Sequence, residues 1–231
     1  MKTLGMVGGL GPESTIEYYR LLINTYRERV RDGSYPAIII TSADVNRLAA
    51  WMGASQLQAV ADYLVREVRR LADAGSDFGL ISANTPHIVF NEVQQRSPIP
   101  LISIVEAACA AVSALGIGRV GLLGTRFTMQ ASFYPEVFVR RQIAVVTPRD
   151  DEQNYVHDKY MNELLVGSIV PATRERLLQI IRRMREEQHV EAILLAGTEL
   201  PLILRQQDSP DVRLLDTAQM HVEAAVARML S

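Results

Sequence analysis

Apolar and polar positions along the chain follow two distinct patterns. Residues 3–7, 37–41, 78–82, 101–103, 120–123, 143–146, 192–196 and 212–215 are apolar at successive positions. Unbroken apolarity over such short lengths suits strands covered on both faces, as in a parallel sheet. Between them, residues 14–31, 56–74, 106–115, 151–166, 173–187 and 217–230 repeat their apolar positions every three or four residues. That is the period of a helix with one buried face. The first of these helices is expected to open on a capping box, Ser14 to Glu17, and to stop before Gly33. Strands alternating with helices predict an α/β fold with right-handed crossovers. Ligands in such folds sit beyond the carboxyl ends of the strands.

The pattern also occurs twice. Leu4-Gly5-Met6-Val7-Gly8 lines up with Val120-Gly121-Leu122-Leu123-Gly124, and each is followed by a polar loop and a tyrosine-bearing helix. At nearly the same spacing, Phe78-Gly79-Leu80-Ile81-Ser82-Ala83-Asn84-Thr85 lines up with Ala192-Ile193-Leu194-Leu195-Ala196-Gly197-Thr198-Glu199. Two anchors in step predict two pseudo-symmetric three-layer α/β lobes with mainly parallel sheets. The hinge is placed at Ser97-Pro98-Ile99-Pro100, where two prolines restrict the chain. Residues 1–100 with 216–231 are expected to form the first lobe, the last helix crossing back to it, and residues 101–215 the second.

Composition narrows the class without naming a function. Of 231 residues, 48% are hydrophobic and 22% charged, an ordinary globular mixture that excludes disordered and fibrous classes. A formal charge of −2 offers no attraction to nucleic acid or to an anionic membrane surface. A single cysteine, Cys109, excludes a disulfide scaffold and a multi-cysteine zinc site, and no apolar run reaches the ~20 residues of a membrane span. A soluble protein of a reducing compartment, the cytoplasm, is expected.

Four loops after strands carry groups able to hold an anion. Gly8-Gly9-Leu10-Gly11-Pro12-Glu13-Ser14 lets backbone N–H groups approach a ligand at a helix start. It lacks both the dinucleotide spacing and the Gly-Lys ending of a phosphate loop, so a tight structural turn is an equal reading. Asn84 and Thr85 offer donors suited to a carboxylate, although a Thr85 helix cap would serve no ligand at all. His87 is either an acid or base near neutrality or a partly buried structural imidazole. In the second half, Thr125 and Thr128 add hydroxyls, and Arg126 can pair with an acid. Thr198 can donate, and Glu199 reads as a buried, paired carboxylate.

These loops, in this order, resemble the aspartate/glutamate racemase family. The resemblance runs from Gly5-Met6-Val7-Gly8-Gly9 to Asp216-Thr217-Ala218, and is carried by Asn84-Thr85-x-His87, Gly124-Thr125-Arg126-x-Thr128 and Gly197-Thr198-Glu199-Leu200-Pro201. It implies two similar lobes with an active site in the cleft between them, no pyridoxal phosphate, no metal and, commonly, a homodimer. The family's reaction follows from the weak acidity of an amino acid's α-proton. One thiolate removes the proton on one face while an opposing thiol delivers another, and amide and hydroxyl donors hold the carboxylate.

The sequence departs from that pattern at both sulfur positions. The family's two cysteines align with Ala83 and Gly197, neither of which can carry a proton, and Cys109 lies within an apolar helical run. The resemblance still places Gly8, Gly9, Asn84, Thr85, Thr125, Thr198 and Glu199 around a ligand. Arg47 and Lys159 fall near basic residues that some members use on a side-chain carboxylate. The expected function is binding of an amino acid or small dicarboxylate, with the two-thiol reaction absent or very slow. His87, Ser82, Glu199 and Glu13 are the other candidate proton carriers, and a non-catalytic carboxylate-binding or regulatory protein is the alternative.

Overall fold

The computed structural model describes residues 1–231. In chain order the elements are β1 (Leu4–Gly8), α1 (Pro12–Arg29), β2 (Ile38–Ser42), α2 (Val45–Gly53), α3 (Leu57–Asp73), β3 (Phe78–Ile81), α4 (Phe90–Arg96), β4 (Leu101–Ile102) and α5 (Ile104–Ala114). They continue with β5 (Arg119–Gly124), α6 (Arg126–Gln130), α7 (Phe133–Phe138), β6 (Ala144–Val146), α8 (Asp150–Asn162), α9 (Pro171–Gln188), β7 (Ala192–Ala196), α10 (Leu200–Ile203), β8 (Arg213–Asp216) and α11 (Thr217–Leu230). Short 3-10 turns, Thr85–Val89 among them, join several of these.

The strands form two four-stranded sheets, ordered β2-β1-β3-β4 and β6-β5-β7-β8. Every pairing is parallel, and the second order repeats the first with each strand advanced by four. The register agrees as well: Leu4 lies opposite Phe78 in one sheet, and Val120 opposite Ala192 in the other. These are the residues that open the two sequence anchors, so the internal repeat is a repeat of strand order and register together.

The chain divides into two compact units, Met1–Ala107 with Ala218–Ser231, and Ala108–Thr217. Strand β4 pairs with β3 in the first sheet, so the Ser97–Pro100 segment lies inside the first unit and not at its edge. In that unit Leu4, Met6, Phe78 and Leu80 pack on Tyr18 and Leu22 of α1 and on Val222, Ala225 and Val226 of α11. Alternate strand residues face the other way, where a methyl carbon added at Gly5 would lie 3.0 Å from the Leu71 Cβ of α3. Helices therefore cover both faces. In the second unit Leu123, Ile193 and Leu195 pack on Val156 and Tyr160 of α8 and on Leu177, Ile180, Ile181 and Met184 of α9.

Helix α1 begins two residues before the expected capping box. Gly11, at φ 117°, is its N-cap, and no side chain caps it. Pro12 occupies the first turn, where its fixed φ suits a helix and its missing N–H costs no bond. Ser14 is thereby drawn inside the helix and buried, and Glu17 turns to Arg20, 2.6 Å away. Helix α2 carries no separate expectation; Asp44 caps it, accepting from the N–H groups of Asn46 and Arg47.

Candidate functional site

In the first unit the loop after β1 turns on Gly9, which has φ +76°. A side chain there would collide with the Ala43 carbonyl oxygen and lie 2.6 Å from the Ala43 nitrogen, so the position requires glycine. The Gly9 N–H donates to Thr15 Oγ1 at 2.8 Å, and that hydroxyl donates to the Gly11 carbonyl at 3.1 Å. Gly8 is packed by Thr15 and Ile40. The loop is thus closed on itself by Thr15, which sequence reading passed over. Arg47 lies exposed on α2 with its guanidinium 5.7 Å from the Trp51 ring centre. Glu13 is exposed in the first turn of α1.

After β3, Ser82 is fully buried, its hydroxyl donating to the Val7 carbonyl at 3.0 Å. Ala83 and Asn84 are also buried, and Asn84 caps the Thr85–Val89 turn without a side-chain cap bond. Thr85 is half-buried at the first position of that turn. His87 is buried, with Nδ1 2.9 Å from the Ala83 carbonyl and Nε2 3.2 Å from the Ile104 N–H. Only one tautomer satisfies both: Nδ1 carries the proton and donates, Nε2 accepts. Burial, and secondarily the neighbouring His221, push the His87 pKa down to about 3. His221, from α11, is held in the same way between Tyr18 Oη at 3.0 Å and the Ile102 carbonyl at 2.9 Å. Burial lowers its pKa to about 4. Both imidazoles are neutral at pH 7, with both nitrogens engaged inside the first unit.

In the second unit Thr125 caps α6. Its Oγ1 accepts from the Thr128 N–H at 3.3 Å and lies 3.2 Å from the Thr128 hydroxyl. The Arg126 N–H donates to His157 Nδ1 at 3.3 Å. At the end of β7, Thr198 and Glu199 are buried, and Thr198 Oγ1 donates to Glu199 Oε2 at 3.0 Å. The same carboxylate oxygen accepts from the Tyr160 hydroxyl, delivered by α8. Burial and the adjacent Glu199 carboxylate hold the Tyr160 pKa well above the usual phenol value, so the phenol keeps its proton. Tyr160 went unnoticed in the sequence because Val156, Tyr160 and Leu164 recur at helical spacing and read as core.

Lys159 does not point into a shared cluster with Tyr160. Its ammonium is 2.8 Å from Glu163 Oε1 and 5.8 Å from the Tyr155 ring centre. Thr173 Oγ1 donates to the other oxygen of Glu163 at 2.5 Å. That ion pair raises the Lys159 pKa, chiefly through the hydrogen bond. Cys109 is buried, its sulfur 3.9 Å from the Val137 carbonyl. No three His, Cys, Asp or Glu side chains come together as metal ligands would. No helix is long and apolar enough to cross a membrane.

Known proteins resemble this chain over its full length. A Yersinia pestis protein provisionally assigned as an Asp/Glu racemase is 31% identical, superposes with a TM-score of 0.90, and covers 100% of both chains. An aspartate racemase homologue from Pyrococcus horikoshii, also 31% identical over 100% of both chains, superposes at 0.86. The broad-specificity amino-acid racemase of Bacillus subtilis is 24% identical over 99% of this chain and 98% of its own length. The sequence pattern of the Asp/Glu/hydantoin racemases is matched from residue 7 to residue 225. With two repeated parallel α/β units and that match across nearly its whole length, the chain belongs to the Asp/Glu/hydantoin racemase family.

Proposed function

We propose that this protein binds a free amino acid or small dicarboxylate through loops at its strand ends, and that two-thiol racemisation is lost from it. One observation carries the reading. Ala83 and Gly197 stand at the same spacing from Phe78 and Ala192, the residues that open the matched strands β3 and β7, and both are the positions that the family resemblance assigns to sulfur. Neither a methyl group nor a hydrogen atom can exchange a proton with a Cα–H. The residue types that the resemblance places around a carboxylate are kept at Asn84, Thr85, Thr125 and Thr198, all near strand ends. Arg47 and Lys159 are the candidate cations for a side-chain carboxylate, and the relatives named above are named for amino acids. Assembly as a homodimer and a cytoplasmic location belong to the same reading.

The proton-carrying alternatives support loss of turnover more than its replacement. Ser82 spends its hydroxyl on a backbone carbonyl, and both His87 nitrogens are tied to backbone groups. This favours the second reading, a carboxylate-binding or regulatory member without chemistry.

Incubation with L-aspartate, L-glutamate and a panel of other amino acids in D₂O, followed by NMR of the α-proton, separates the two. Thermal stabilisation by one of these acids with no α-exchange is the expected result. Exchange at an enzymatic rate overturns the loss of turnover, and absence of stabilisation across the panel overturns the binding function.

A further inference from the structure

Gly197 and Tyr160 compete for one volume. A side-chain carbon added at Gly197 would overlap the Tyr160 ring edge, lie 3.1 Å from Cζ, and lie 3.2 Å from the phenol oxygen. The ring cannot swing aside freely, because α8 carries it in the core beside Leu123 and Leu195 and its hydroxyl is fastened to Glu199. A side chain at 197 therefore meets a fixed obstacle, unlike one at Gly121, where the atoms met are the mobile ends of Ile193 and Met184. Conversely, the absence of a side chain at 197 is what leaves room for the ring.

We infer that Tyr160 is the specificity-determining residue of this strand end: its ring fills the side-chain space of residue 197, and its hydroxyl is fastened to the buried Glu199. In members carrying a side chain at this step, that side chain would itself face the ligand. Here the Tyr160 ring takes that space, which limits how long a ligand can be. No proton leaves the Tyr160–Glu199 pair, since burial keeps the phenol protonated; the role of the ring is shape. This assignment rests on the proposed amino-acid binding for its consequence, but not for its geometry.

The test joins stability to ligand preference. Gly197→Cys in the wild-type background is expected to lower the melting temperature by roughly 2–10 °C, the cost of overpacking. In a Tyr160→Ala background, the same Gly197→Cys change is expected to cost less than half of that. Equal costs in the two backgrounds would overturn the shared volume. Ligand preference is read by thermal shift across glycine, L-aspartate, L-glutamate and L-arginine. Tyr160→Ala is expected to move the optimum at least several-fold toward the longer acids, whereas an unchanged ranking overturns the specificity role. Tyr160→Phe, which keeps the ring, is expected to keep the length preference. If no acid in the panel shifts the wild-type protein, the binding function has failed, and the pair of Cys substitutions still decides whether Tyr160 owns the volume.

Discussion

Nδ1 of His87 stands 2.9 Å from the carbonyl oxygen of Ala83, four residues before it, so the imidazole is bonded to the very residue at which we propose that a thiol has been lost. The bond fixes the loop after β3 from inside the protein. It also commits the imidazole to structure, with Nε2 receiving the first N–H of α5. A ring stacked on Phe90 at 4.9 Å, 7° from parallel, completes the enclosure.

Acid is therefore expected to unfold the first unit. His87 and His221 hold fewer protons folded than unfolded, because burial lowers both from the usual 6.5, to about 3 and about 4. Stability from this source is whole above pH 6.5 and is lost as pH falls. Both imidazoles contribute to the loss down to about pH 4, and His87 alone from there to about pH 3. The slope is about 1.4 kcal/mol per pH unit for each ring. Urea titrations between pH 7 and pH 4.5 should show it, and His221→Gln should flatten it by about half. A midpoint independent of pH over that range contradicts the assignment.

Gly9 is expected to tolerate no side chain. Gly9→Ala combines a left-handed backbone with overlap on the rigid Ala43 peptide, and should cost at least about 2 kcal/mol. Gly121→Ala meets only flexible side-chain ends and should cost clearly less. Chemical denaturation of both variants checks the order, and equal losses would refute the argument.

Glu163 is expected to restrain Lys159. A dicarboxylate that reaches the ammonium competes with the Glu163 carboxylate, itself braced by Thr173. Glu163→Gln should tighten L-aspartate binding several-fold while leaving L-alanine unchanged, as isothermal titration would read. Lys159→Met should erase any preference for dicarboxylates. Identical aspartate affinity in all three proteins removes Lys159 from the site.

Installing thiol chemistry is expected to need three changes. Ala83→Cys with Gly197→Cys supplies two thiols in composition, but Tyr160 obstructs the second. α-Proton exchange in D₂O should appear only when Tyr160→Ala is added. Exchange in the double variant alone would show that the ring yields.

The periodicities along the chain determine the class of fold, because strands buried on both faces and helices buried on one must differ in spacing. β7 and α11 fall on the expected residues, and the repeat of Leu4 and Val120 proves to be a repeat of sheet register. That loops rich in Gly, Asn and Thr follow the strands was also legible, but not that the fold itself uses them, Thr15 closing the loop after β1 and Thr125 capping α6. Local competition decided what periodicity does not weigh: Pro12 took the helix start from Ser14, and the ladder bonds of Leu101–Ile102 placed β4 in the first sheet. Tertiary packing alone determined the rest. That Tyr160 fills the space beside Gly197, that His87 faces a carbonyl, and that Glu163 holds Lys159 each depends on side chains meeting across elements. Sequence spacing reports which face a residue occupies, but not which neighbour waits on the other side of the gap.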